Sequence, residues 1–145
     1  MEIKLNIGIG DLKFGFRRFQ IEEVIGRPDL ELVDEDDDNR VILVYNRLNL
    51  RLTLYRSEEM KMGYIECSNP LLTFQSQRLI GEDINYIKEQ VFLMDSNEWE
   101  VENFHSFDSH FYEPTWLSLY SEFEKVTRIE LGVPLDRDED YNWPR

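Results

Sequence analysis

Cysteine is almost missing: Cys67 is the single one in 145 residues. No disulfide can form within the chain, and a multi-thiolate zinc site is excluded. Basic residues are scarce. Thirty Asp and Glu face sixteen Lys and Arg, a formal net charge of -14. A field of that sign repels nucleic-acid phosphates and anionic membranes and draws basic partners. No basic stripe stands against it, so nucleic acid and membrane are not expected as partners. No apolar run approaches the roughly 20 residues of a membrane span. The opening MEIKLNIGIG has no basic region ahead of an apolar stretch, so no secretory signal is read there, and a reducing, cytoplasmic setting is expected.

Catalytic signatures are missing as well. There is no Gly-rich phosphate loop, no HExxH and no GxSxG. The expectation is a protein that is not an enzyme and uses no cofactor or metal. The acidic run VDEDDDN, Val33 to Asn39, fails as a calcium loop: counted from Asp34, the sixth residue is Asn39 instead of Gly and the twelfth is Tyr45 instead of Glu. A solvated loop able to attract Arg or Lys of a partner is expected instead. In HSFDSH, the spacing of His105, Asp108 and His110 does not put three ligands on one side of a strand, so a polar turn is expected. The acid pairs Glu22-Glu23 and Glu58-Glu59 read as exposed faces. Glu66 and Glu130 would suit acid–base chemistry only if close, shielded from water and raised in pKa.

What is present suffices for a core. Hydrophobic residues make up 41% and aromatics 13%, and a folded chain of this size buries roughly 70% of its unfolded surface without staples. The chain also repeats itself. YNRLNLRLTLY (Tyr45 to Tyr55) is answered by YEPTWLSLY (Tyr112 to Tyr120), and alignment on the final tyrosines gives an offset of 65 (55 to 120). IECSNP from Ile65 and IELGVP from Ile129 stand 64 apart (65 to 129). GFRRFQIEEV from Gly15 and GEDINYIKEQV from Gly81 stand 66 apart (15 to 81). Near-constant spacing of three landmarks points to an internal duplication. Residues 1–70 and 71–135 are the expected repeats, with 136–145 a loosely held polar tail whose Tyr141 and Trp143 leave open that it packs back on the sheet or hooks a neighbour.

Each repeat has the same order of elements. A short strand, Glu2 to Ile7 or Leu72 to Arg78, precedes a helix. Ile21, Val24 and Ile25 form one apolar stripe, closed by Gly26 and Pro28; Ile84, Ile87 and Val91 form the other, with Glu82 and Asp83 at its N-terminus. Strands follow at Arg40 to Tyr45, Leu50 to Tyr55 and Gly63 to Cys67. In the second repeat they are Trp99 to Phe104, Ser109 to Glu113, Thr115 to Tyr120 and Val126 to Leu131. The expected fold class is α+β: two tandem helix-plus-antiparallel-meander repeats forming one curved sheet, with helices on one face.

The pattern Gly15, Phe16, Ile21, Val24, Ile25, Gly26, Pro28 resembles the helix-end signature of small bacterial modules related to the β-lactamase inhibitor protein and to the small lipoprotein of the outer-membrane assembly machinery. That resemblance implies a tandem pair of modules whose open sheet face grips a partner protein.

Alternation assigns that face. With Leu50, Leu52, Leu54, Leu117, Leu119, Ile65, Cys67, Ile129 and Leu131 turned to the helices, the opposite face carries Arg51, Thr53, Tyr55, Tyr64, Trp116, Ser118, Tyr120 and Arg128, with Glu66 and Glu130 among them. Tyr, Trp and Arg are the residue types enriched where binding energy concentrates. The expected function is a non-enzymatic protein-binding module, an inhibitor or immunity-type protein that neutralises a basic partner such as a toxin or nuclease domain. The alternative is a small-molecule or peptide sensor binding in the curve of the sheet.

Overall fold

The computed structural model describes residues 1–145, the side chain of Ser96 excepted. Three short strands open the chain: β1 (Ile3–Lys4), β2 (Gly8–Ile9) and β3 (Leu12–Lys13). The expected single strand from Glu2 to Ile7 is thus broken. Gly8, at φ 154, leaves no room for a side chain: a Cβ there would meet the carbonyl oxygen of Leu12.

Helix α1 (Arg18–Ile25) follows. Arg17 holds the N-cap position, and the side chain of Gln20 reaches back to accept its backbone N–H at 2.9 Å, a role usually completed by a Ser or Thr cap. Gly26, at φ 83, ends the helix as expected and donates to the Glu22 carbonyl. Ile21 is fully buried, while Val24 is exposed, so the stripe is narrower than its spacing predicts.

Strands β4 (Leu30–Val33), β5 (Arg40–Tyr45), β6 (Leu50–Tyr55) and β7 (Lys61–Cys67) form a meander. A small hairpin, β8 (Thr73–Phe74) and β9 (Gln77–Arg78), leads to α2 (Ile84–Tyr86), which widens into a π turn over Ile87–Val91. Asp83 caps α2 through the N–H groups of Asn85 and Tyr86. A second meander closes the chain: β10 (Glu100–Asn103), β11 (Asp108–Tyr112), β12 (Leu117–Glu122) and β13 (Lys125–Gly132).

The two meanders join edge to edge through β7 and β13. The result is one eight-stranded antiparallel sheet in the order β10-β11-β12-β13-β7-β6-β5-β4. The sheet presents the same succession from either edge. Leu50 pairs with Cys67 as Leu117 pairs with Leu131. Both β6 and β12 carry a register shift before Leu54 and Ser121. The loops anchor alike. Gly15 donates to Met62 and Phe16 accepts from it, at 2.9 and 2.8 Å; Gly81 donates to Val126 and Glu82 accepts from it, at 2.7 and 2.9 Å. By register, therefore, Leu50 corresponds to Leu117 and Leu52 to Leu119. Tyr120 corresponds to Thr53, so alignment on the final tyrosines was two residues out of step. A shift of two preserves facing, because side chains alternate with period two.

The inward face holds Leu43, Leu50, Leu52, Leu54, Ile65, Cys67, Leu117, Leu119, Ile129 and Leu131. All are buried in one cluster with Ile21 of α1 and with Ile84, Ile87 and Val91 of α2 and its π turn. Each of these strand residues lies where alternation predicts, except Leu43, for which no facing was read. Burial pushes the Cys67 thiol pKa up, consistent with a packing role.

Candidate functional site: the outer face of the sheet

A row of directly paired residues crosses all eight strands on the face away from that core. It runs Leu30, Val44, Arg51, Glu66, Glu130, Ser118, Phe111, Glu100. Its two central members are carboxylates, set opposite each other where β7 meets β13. Glu130 is 6% exposed. It accepts from the Tyr64 hydroxyl and, at 2.8 Å, from Nε of Arg128. Glu66 has no such cradle. Burial and the neighbouring Glu130 carboxylate raise its pKa, against the pull of Arg128 and Arg51. Burial, then the charge of Glu130, also pushes the Tyr64 phenol well above its ordinary range. The Arg128 guanidinium lies 4.1 Å from the Tyr120 ring centroid, a cation–π contact that holds it flat on the face.

The expected site residues separate into three groups. Tyr64, Ser118, Tyr120 and Arg128 are half-buried and Arg51 is exposed, all on the outer face. Thr53 and Tyr55 share that face but are buried. Tyr55 is 7% exposed because the C-terminal segment folds back over it. Tyr141 stacks on Tyr55 at 5.3 Å, and Trp143 packs against Tyr141 at 5.5 Å, with Lys61 above its ring at 5.4 Å. Of the two readings of the tail, loosely held or packed back on the sheet, these contacts match the second: its two aromatics supply the adhesion. Gly63 permits them, since a Cβ there would lie 2.2 Å from the Tyr55 ring.

Trp116 is the third case. It was expected in a strand from Thr115, but β12 starts at Leu117. Trp116 closes a short turn in the left-handed conformation, φ 50, where Asn49 stands in the other meander at φ 48. Its backbone carbonyl accepts from Gly132, as that of Asn49 accepts from Ser68. Its indole lies over Gly132 and meets Phe111 edge-on at 5.1 Å. Trp116 and Tyr55 line one small cavity of 160 Å³ with Tyr64, Gly132 and Tyr141. They therefore lie on one side of the molecule.

A larger cavity of 460 Å³ opens at the other end of the face. Its walls include Val44, Asn49, Arg51, Glu66, Ser68 and Arg128. Sequence reading missed its apolar wall. Arg40 to Tyr45 reads RVILVY, a run with no polar alternation to reveal a second face. Leu30 and Leu32 of the unexpected strand β4 continue the aliphatic patch and are exposed. The run of apolar residues on both sides of β5 was the available signal.

HSFDSH is a polar turn only in part, since His110 belongs to the expected strand from Ser109 and its burial was not read. His110 lies inside β11, facing the core, and is 6% exposed. Its ring nitrogens meet Lys88 Nζ at 3.1 Å and Ser121 Oγ at 3.0 Å. Burial and then the charge of Lys88 push its pKa down to about 4; burial lowers that of Lys88. His105 is exposed in the turn. No group of three or more metal-ligating side chains occurs among the described residues. The acidic loop is tied by local turns, with Asp34 and Asp37 accepting from the N–H groups two residues on. No helix is long and apolar enough to cross a membrane among the described residues.

No protein-family model matches the chain, and no curated protein matches its sequence. Among solved structures, an extracellular protein containing a SCP domain from Bacillus anthracis str. Ames is similar in fold. The TM-score is 0.56 at 13% identity, over 82% of this chain and 43% of that one. The chain thus spans less than half the length of that protein, and the likeness is one of fold alone.

Proposed function

We propose that this chain is a non-enzymatic protein-binding module, an inhibitor or immunity-type protein of the cytoplasm, built from two copies of one helix-and-meander unit. It covers a basic partner with the outer face of a curved sheet whose helices lie behind it. The equal succession of strands from both edges and the twin loop anchors at Gly15 and Gly81 support the duplication. The resemblance to tandem inhibitor modules agrees with it.

The observation that carries the functional reading is the array Trp116, Phe111, Tyr120 and Arg128, half-buried on a face that no helix covers. Rings already held in place lose little freedom on docking. The net charge of -14 draws a cationic partner to them. Capture from native lysate tests this at low and high salt. A basic protein is expected on the wild type, less of it at high salt, and none on Trp116→Ala/Tyr120→Ala. Thermal unfolding of that double variant should stay cooperative. Equal capture by both baits would sink the proposal.

A second reading, a small-molecule or peptide sensor, is favoured by one observation: the 460 Å³ cavity, where Arg51, Glu66 and Arg128 converge. Such convergence of a few polar groups on a concave wall is typical of ligand sites.

A further inference from the structure

The two ends of the outer face meet the same geometric demand in opposite ways. Where the second meander turns between β11 and β12, Trp116 folds over Gly132 and packs on Phe111. Where the first turns between β5 and β6, Asn49, Ser68 and Val44 hold the places of Trp116, Gly132 and Phe111. Asn49 carries no ring to match the Trp116 indole, and a 460 Å³ cavity, bordered also by Tyr45 and Asn46, opens there.

Its lining is specific. Val44, 5% exposed, gives a small apolar patch on its wall. Arg51 replaces Ser118 in the register and forms no ion pair within 4 Å among the described residues, although it stands directly opposite Glu66. Arg128 uses its Nε on Glu130, lies over the Tyr120 ring and is also among the residues lining the cavity. Glu66 keeps its proton more readily than an ordinary carboxylic acid, through burial and through Glu130 beside it. Two guanidinium groups match a carboxylate: planar, singly charged and able to accept from a fork of N–H groups. A doubly charged phosphate meets the same groups but twice the repulsion from a chain of net charge -14.

We infer that the cavity between Val44, Arg51, Glu66 and Arg128 binds a monocarboxylate carrying a planar apolar body, the head on Arg51 and the body on Val44, where the second meander uses its own Trp116. The carboxylate belongs either to a small aromatic acid or to the C-terminal aromatic residue of a peptide. Ser68 in place of Gly132 raises the floor, so the ligand ring lies shallower than the Trp116 indole. The inference rests on the sensor reading. Its failure would leave protein docking across Trp116 and Tyr120 untouched.

The test uses the full chain and titration calorimetry with indole-3-acetate. Indole-3-acetamide serves as the uncharged twin and inorganic phosphate as competitor. A short peptide ending in Trp is compared as free acid and as amide. Saturable binding of indole-3-acetate is expected, weakened about tenfold or more in the acetamide and in Arg51→Gln. Asn49→Trp should close the cavity and abolish binding. Arg51 is exposed, so its variant should keep the wild-type melting curve, which keeps the result readable even if Asn49→Trp folds poorly. Tighter binding of the free-acid peptide, with the same dependence on Arg51, assigns a peptide end; tighter binding of indole-3-acetate assigns a small acid. No heat with either acid would overturn the inference. So would equal affinity for the acetamide, unchanged affinity in Arg51→Gln, or displacement by equimolar phosphate, which would mark a general anion site.

Discussion

Under α1 the sheet offers Leu43 and Leu54; under α2, the same register positions hold His110 and Ser121, joined to Lys88. The first pair is apolar. The other buries a base, a hydroxyl and an amine in a satisfied chain of contacts, beside a helix that widens into a π turn. The strand order and the loop anchors match on the two sides, so they do not depend on what fills the interface. What differs is conditional stability. Apolar contacts are indifferent to pH, whereas a buried neutral imidazole beside an amine is not.

The largest break in that comparison comes from exchanging one member. Leu43→His places an imidazole beneath α1, where there is no Lys88 or Ser121 to meet it. A loss of about 3–5 kcal/mol is expected in urea unfolding, from lost packing plus an unpartnered polar ring. The reverse exchange, His110→Leu, leaves Lys88 with the Trp99 ring at 5.5 Å and should cost less.

The turns come next. Gly132→Ala puts a Cβ 2.2 Å from Cδ1 of Trp116 and must expel the indole. About 2–3 kcal/mol is expected to be lost, with a red shift in tryptophan emission. At the corresponding site of the first meander, Ser68→Gly should change stability by about 1 kcal/mol or less. Similar losses at both sites would show that the two turns are not packed differently.

Acid separates the two interfaces by a smaller amount. The folded pKa of His110, about 4, lies below the ordinary 6.5. Its contribution is therefore complete above 6.5 and declines as pH falls from 6.5 towards 4. Between pH 7.5 and 5, about 2 kcal/mol of stability is expected to be lost through this group. The dependence should flatten in His110→Leu and persist in His105→Gln, because His105 is exposed.

The tail gives the smallest effect. Burial, followed by the nearby Tyr141, pushes the Tyr55 phenol up to about 12. Tyr141→Ala should lower that value towards 10 in an ultraviolet titration and cost about 1 kcal/mol. An unchanged Tyr55 titration would mean that the stack does not shield it.

Local pattern alone carried the inward face. Leu50, Leu52, Ile65, Leu117, Leu119 and Ile129 were legible because period-two alternation survives even a two-residue misalignment. The helix ends at Gly26 and Asp83 were legible through left-handed backbone and the helix dipole, which depend on a few neighbours. The face of Ile42 and Val44 was hidden, since an unbroken apolar run has no period to read. Trp116, the tail over Tyr55, the opposition of Glu66 to Glu130, and the pairing of His110 with Lys88 were decided by tertiary structure. Each joins residues from separate elements, and strand register, which no local pattern encodes, sets which side chains meet.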